Sequence, residues 1–175
     1  DYVAPSPSVA SQAAQYSIMD INSLIKAAKA GQAGAQFYLA TKYQYGKDIQ
    51  KDERQAFAWY KAAADQGLAV AQLNVGRMLA DGMGTRKDEA LARQYFEKAA
   101  SRGDNRASFN LAMMEEKKKN YMGAYQWYEL STRDGMLDNK VITLSEGKKT
   151  ALAANLTQEQ IRQARDRADR WIQAQ

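Results

Sequence analysis

From residue 35 to residue 135 the apolar positions fall at helical spacing, and the pattern then returns at a fixed period. Ala35, Leu39, Ala40 and Tyr43 form one stripe of an amphipathic helix. Gly46 interrupts that stripe, and Asp52 offers an N-cap for a second helix. There Ala56, Trp59, Tyr60, Ala63 and Ala64 follow the three-four spacing, and Gly67 supplies a left-handed end. The alanines predict close helix contacts, because two helices approach only where side chains are small, and the aromatics fill the groove beside them.

Laying residues 35–67 over 71–103 needs no gap. Ala35 falls on Ala71, Gln36 on Gln72, Gly46 on Gly82, and Lys51-Asp52-Glu53 on Lys87-Asp88-Glu89. Ala56 falls on Ala92, Trp59-Tyr60 on Tyr95-Phe96, Ala63-Ala64 on Ala99-Ala100, and Gly67 on Gly103. A third copy over 107–135 matches through Ala107, Leu111, Ala112, Ala124, Trp127, Tyr128 and Gly135. It is shorter in the middle, where EEKKKN replaces the glycine turn and Asn120 marks the helix junction. Ala27, Ala28 and Gly31 are a partial copy ahead of the first. Such self-similarity marks a repeat architecture of helix pairs.

Residues 137–174 read as a terminal helical pair that shields the last apolar face. Thr157 to Gln160 is a capping box, followed by an apolar face of Ile161, Ala164, Ala168, Trp171 and Ile172. Arg162/Asp166, Arg165/Asp169 and Asp166/Arg170 are expected to pair along the other face. Residues 1–16 hold both prolines of the chain and no apolar period; they read as a tail, flexible at least to Val9, ahead of a single repeat domain over 17–175.

Composition narrows the chemistry. The 175 residues contain no cysteine and no histidine. That removes disulfides, thiolate nucleophiles, the commonest general base and most metal-ligand sets. No run of about 18 apolar residues is present to span a bilayer. The net charge of +5 admits nucleic acid, an anionic surface or an acidic protein. Its basic residues are scattered among acids, however, and the Arg-rich terminal helix alternates in sign, which argues for a solvated surface with internal pairing. Glu115 and Glu116 face different ways on a helix, and Gly82-Met83-Gly84 lacks the lysine of a phosphate loop. No catalytic residue, cofactor or metal is expected. The absence of a starting methionine fits a removed signal peptide or a cloning boundary.

With these residues in place, the pattern A-x-x-x-L-G-x-x-Y-x-x-G-x-G-V-x-x-D-x-x-K-A-x-x-W-Y-x-x-A-A-x-x-G resembles the Sel1-like repeat, a relative of the tetratricopeptide repeat, over residues 18–135. Asp48 departs from it at the second loop glycine of copy one, Thr85 at the valine of copy two, and copy three lacks the loop motif. The L-T-x-E-Q opening at residue 156 is similar to the terminal helix pair of bacterial members. The resemblance implies an all-α solenoid, a right-handed superhelix of helix pairs with capping helices at both ends. It further implies a non-catalytic adaptor or regulator that binds a partner protein in the bacterial envelope, with the periplasm favoured over the cytoplasm. An immunity protein that neutralises a secreted toxin such as a phospholipase is a second implied role. A cell-wall or β-lactam-binding enzyme is a third, and the missing cysteines count against it. Neither a nucleic-acid partner nor a membrane span is expected.

In the related superhelix the first helix of each pair lines the concave face. Counted away from the Leu39/Tyr43 stripe, the free positions are Phe37, Thr41, Gln44 and Tyr45 in copy one. Copy two places Leu73, Arg77, Ala80 and Asp81 there, and copy three Phe109, Met113, Glu116 and Lys117. Phe37, Leu73 and Phe109 form an apolar row that is either a set of partner anchors or buried between neighbouring helices, and both readings stay open. Lys117-Lys118-Lys119 is the densest basic run, a solvated helix end or a contact for an acidic partner.

Overall fold

The computed structural model of the protein describes residues 15–133 and 138–175. The expected flexible stretch to Val9 and the glycine at Gly135 lie outside the described residues. Among those described there is no strand. The helices are α1 (Ile21–Lys29), α2 (Ala33–Tyr45), α3 (Glu53–Asp65), α4 (Ala69–Asp81), α5 (Glu89–Ser101), α6 (Asn105–Lys117), α7 (Tyr121–Ser131), α8 (Asn139–Ala153) and α9 (Gln158–Gln173). They fall into two compact units, one ending at Ala92 and the other running from Arg93 to Gln175, with the division inside α5.

In the first unit α1 packs on α2, α2 on α3, and α3 on α4. Leu24, Ala28, Ala35 and Leu39 form a core that Ile21, Ile25, Tyr38, Tyr43 and Trp59 cover. Ala56, Ala63 and Ala64 of α3 are buried, as the close-approach reading requires. Asp52 caps α3 by accepting from the Arg54 and Gln55 amides at 3.0 and 3.2 Å. Tyr16, at the last position assigned to the tail, instead packs against this core and donates its hydroxyl to Gln32.

The two turns of this unit share one frame. Asp52 N–H donates to the Tyr43 carbonyl at 2.9 Å, and thirty-six positions on Asp88 N–H donates to Leu79 at the same 2.9 Å. Gly46 and Gly82 end α2 and α4 in the left-handed region. Two residues past each, Asp48 and Gly84 are left-handed as well, with φ of 64° and 69°.

In the second unit α6 packs on α7, and α7 carries both α8 and α9. Asn120 caps α7 by accepting from Gly123 N–H at 3.2 Å. Lys119, in the shortened turn before it, adopts φ of 63° where a glycine would be usual. Buried Asn105 ties the chain on either side of the undescribed segment: its amide donates to the carbonyls of Ser131 and Asp138, each at 3.1 Å. The capping box at Thr157 and Gln160 is formed.

The terminal helix departs from the expectation in two ways. Of its three expected pairs only Arg162–Asp166 forms, at 3.2 Å. Arg165 reaches Glu129 at 3.7 Å, and Asp169 takes Arg133 at 2.7 Å, so these charges dock α9 to α7 and its C-terminal end. The apolar face is also narrower. Ala164 and Ala168 are buried and Trp171 meets Trp127 edge to face at 5.4 Å, but Ile172 is 41% exposed.

Candidate functional site

Within the first unit, α2 and α4 flank a groove of about 390 Å³. From α2 it is lined by Phe37, Thr41, Gln44 and Tyr45, and from α4 and its following turn by Asn74, Arg77, Met78, Asp81 and Met83. The α3 aromatic Tyr60 lies at its base. The helical period explains the set: Phe37, Thr41 and Gln44 recur at one side of α2, as do Asn74, Arg77 and Asp81 on α4.

The floor is a hydrogen-bonded aromatic cluster. The Tyr60 hydroxyl donates to Gln44 Oε1 at 2.7 Å. Thr41 Oγ1 lies 2.9 Å from that hydroxyl and 3.1 Å from the Phe37 carbonyl, so its single proton serves one or the other. The Phe37 ring packs on Tyr60 with centroids 5.5 Å apart. Burial pushes the Tyr60 phenol up to about 12, since the phenolate would lose its hydration, while the Thr41 contact acts the other way.

The rim differs. Tyr45 is 73% exposed, and Arg77 and Asp81 are both exposed one turn apart on α4. Among the described residues, neither charge has an ion pair or a hydrogen bond from its side chain. The α2 wall of the groove therefore offers neutral and aromatic surface, and the α4 wall offers one free cation and one free anion.

The second unit repeats the aromatic motif with different chemistry. Phe109 packs on Tyr128 at 5.5 Å, and the Tyr128 hydroxyl donates to Glu116 Oε2 at 3.4 Å. Lys148 of α8 reaches the same carboxylate at 3.5 Å. Burial first, and then the Glu116 charge, push the Tyr128 phenol well above its usual range. Met113 is 40% exposed on this side of α6, and Lys117 is solvated at its end. In copy two the corresponding repeat positions hold Ala80 and Phe96, which carry neither the acceptor nor the hydroxyl.

Six of the expected free-face residues, Phe37, Thr41, Gln44, Tyr45, Arg77 and Asp81, thus line one groove. Leu73 is corrected: it is fully buried at 0% exposure and presents nothing to a partner. Phe37 and Phe109 are half-buried against tyrosines, so the apolar row is largely core. Asn74, Met78, Met83 and Tyr60 belong to the groove and were missed. The first-helix period could have pointed to Asn74, one turn before Arg77; Met83 lies in the turn, where no period applies.

Among the described residues no cluster of acidic side chains could hold a metal ion, and no helix is long and apolar enough to cross a membrane.

The Sel1 repeat family model matches residues 33–68, 69–104 and 106–136. Among solved structures, the chain is similar to a Sel1 repeat protein from Oxalobacter formigenes at 29% identity and a TM-score of 0.64, over 71% of this chain and 58% of that one. It is also similar, at 24% identity and a TM-score of 0.62, to a protective antigen of uropathogenic Escherichia coli strains that displays an SLR fold, over 86% of this chain and 40% of that one. That second likeness concerns the fold alone. The chain therefore spans about half the length of these structures. No curated protein matches it.

Proposed function

The chain belongs to the Sel1 repeat family, and from that premise we propose that it is a non-catalytic module that binds a partner protein through the groove between α2 and α4. Folds of this family are generally protein–protein interaction modules. One observation carries the assignment to this face: the groove presents exposed Tyr45 beside Arg77 and Asp81, two charges without partners among the described residues. Surface charges left unpaired beside an aromatic group are what a protein partner can use for orientation and anchoring. Both similar structures are bacterial, which fits a bacterial origin for this chain, and a place in the cell envelope is part of the proposal.

Site-specific photo-crosslinking tests the reading. A photoreactive phenylalanine at position 45, in cells of the native host, is expected to capture a protein that the same group at exposed Ala58 on α3 does not. Equal capture at both sites, or capture at Ala58 only, would remove the groove from consideration. Fractionation of the full gene product tests the envelope assignment.

A further inference from the structure

The rim charges of the groove define what kind of element it accepts. Arg77 and Asp81 stand one helical turn apart, where opposite charges ordinarily close on each other, yet among the described residues they are not paired. The opposite wall contributes no charge that could satisfy either: Phe37, Thr41, Gln44 and Tyr45 are all neutral. An occupant complementary to this rim therefore brings a carboxylate for Arg77 and a cation for Asp81, about one turn apart. Between them it must bring apolar surface for Phe37, Tyr45 and Met83.

The walls also constrain the occupant's backbone. α2 and α4 use their own N–H and C=O groups within the helices, so the groove has no strand edge to pair with an extended peptide. On the floor, the Tyr60 proton and the Gln44 carbonyl are spent on each other. The neutral groups that remain to serve a bound main chain are the Asn74 amide, the Gln44 NH₂ and the Tyr45 hydroxyl, scattered side chains rather than the regular row of a strand edge. An extended peptide would leave most of its backbone groups unsatisfied here, whereas a helix brings none.

Resting on the reading of this groove as the binding face, we infer that its occupant is an amphipathic helix of a partner protein. That helix carries an acidic and a basic residue one turn apart, flanking a large apolar side chain. The acid faces Arg77, the base faces Asp81, and the apolar group lies against Phe37 and Tyr45.

Panning the full chain against a phage library of randomised faces on a stable single-helix scaffold, beside a linear peptide library, tests this. Helical clones are expected to dominate and to share an acid and a base one turn apart around an apolar residue. Affinity should fall tenfold or more for the charge-swapped variant Arg77→Asp/Asp81→Arg. Panning that variant should return clones with the acid and base in reversed order. Both positions are exposed, so the swap leaves folding intact, which circular dichroism checks; Arg77→Gln provides a milder second variant.

Clones that lack the charge pair, or ignore the swap, overturn the inference. If those clones still lose binding on Tyr45→Ala, the groove remains the binding face and only its charge logic fails. If neither change matters, the groove reading fails too. Enrichment of groove-dependent linear peptides over helices overturns the helical occupant, and so does the absence of any enriched clone.

Discussion

The side-chain amide of Gln36 donates to the carbonyl oxygen of Ala28 at 3.2 Å, closing the C-terminal end of α1 from the neighbouring helix. Gln72 does the same for Ala64 at the end of α3, also at 3.2 Å. A repeat protein must satisfy the last carbonyls of each buried helix, and here a side chain of the following helix does it. Gln66 adds a 2.8 Å bond to Gln36 Oε1, so the first of these glutamines is held at both ends.

Replacing Gln36 with Leu is therefore expected to lower stability by about 1 kcal/mol, because the Ala28 carbonyl and the Gln66 amide each lose one of two partners and keep only Gly31 N–H and the Gly31 carbonyl. Ser108 occupies the same repeat position in copy three, and its buried hydroxyl has no partner among the described residues. Ser108→Ala should be neutral or slightly stabilising, since it removes a desolvated group that gains nothing. Urea midpoints of the two variants check the contrast; equal losses would mean the amide bonds are not what matters.

Gly84 and Asp48 occupy equivalent turns with the same left-handed backbone. A Cβ at Gly84 would collide with the Glu53 carbonyl at the start of α3. At Asp48 the helix one repeat earlier begins later, at Ile21, and the side chain lies free enough to reach Lys42 at 2.8 Å. Gly84→Ala should thus destabilise by about 2 kcal/mol or more, strain and overlap adding. Asp48→Gly should leave the midpoint nearly unchanged. Thermal melts of both variants decide it.

Those two turns also show where the sequence is legible and where it is not. The thirty-six-residue register located the helix pairs, their alanine contacts and the Asp52 cap, because each depends on local spacing within the chain. It marked Asp48 as a departure without revealing that its side chain reaches solvent and Lys42, which depends on how the turn packs. Leu73 was misjudged for a similar cause: it shares a repeat position with Phe37 and Phe109, but position in a period does not say how much of a side chain its neighbours cover. The pairing of Arg165 with Glu129 instead of Asp169 likewise depends on where α7 lies, which no spacing on α9 encodes.

The alanines give a direct test of packing. Ala63 and Ala99 have no accessible surface. Ala63→Leu or Ala99→Leu should cost about 1–3 kcal/mol by forcing neighbouring side chains from their rotamers. Chemical denaturation with an unmoved midpoint would show that the site can expand.

Tyr60 links the groove floor to alkaline stability. Its folded pKa is raised to about 12 from an ordinary value near 10. The folded state therefore holds this proton more tightly than the unfolded chain does. The contribution is fully present below pH 10 and is lost as pH rises through about 12. Wild type should lose stability across that window, and Tyr60→Phe should lose less of it. Phenolate absorbance should show one fewer late-titrating tyrosine in the variant. If the two proteins titrate alike, the Tyr60 hydroxyl is hydrated in solution.

Asn105 provides the sharpest test of the second unit. Its side chain is 2% exposed; its NH₂ donates to two carbonyls, Ser131 and Asp138, and its oxygen accepts from Asp138 N–H at 3.4 Å. Asn105→Ala removes all three bonds and leaves a small void, for an expected loss of about 2–3 kcal/mol. Asn105→Asp keeps the shape but aims a carboxylate at two carbonyl oxygens, with no donor left to meet them. It should be worse than alanine near neutral pH, because a buried charge met by a single long backbone N–H bond and facing two carbonyl oxygens costs more than a gap. The folded state then raises the carboxyl pKa above about 4, so protonation favours folding, and the penalty shrinks as pH falls through the raised value. Measuring each variant against wild type at the same pH, near 7 and again near about 4, isolates this term from the general effect of acid. The expected result is a crossing: aspartate less stable than alanine at neutral pH and equal or better in acid. An aspartate variant with no pH dependence beyond wild type would mean that water reaches position 105 and that its bonds to Ser131 and Asp138 are not held in solution.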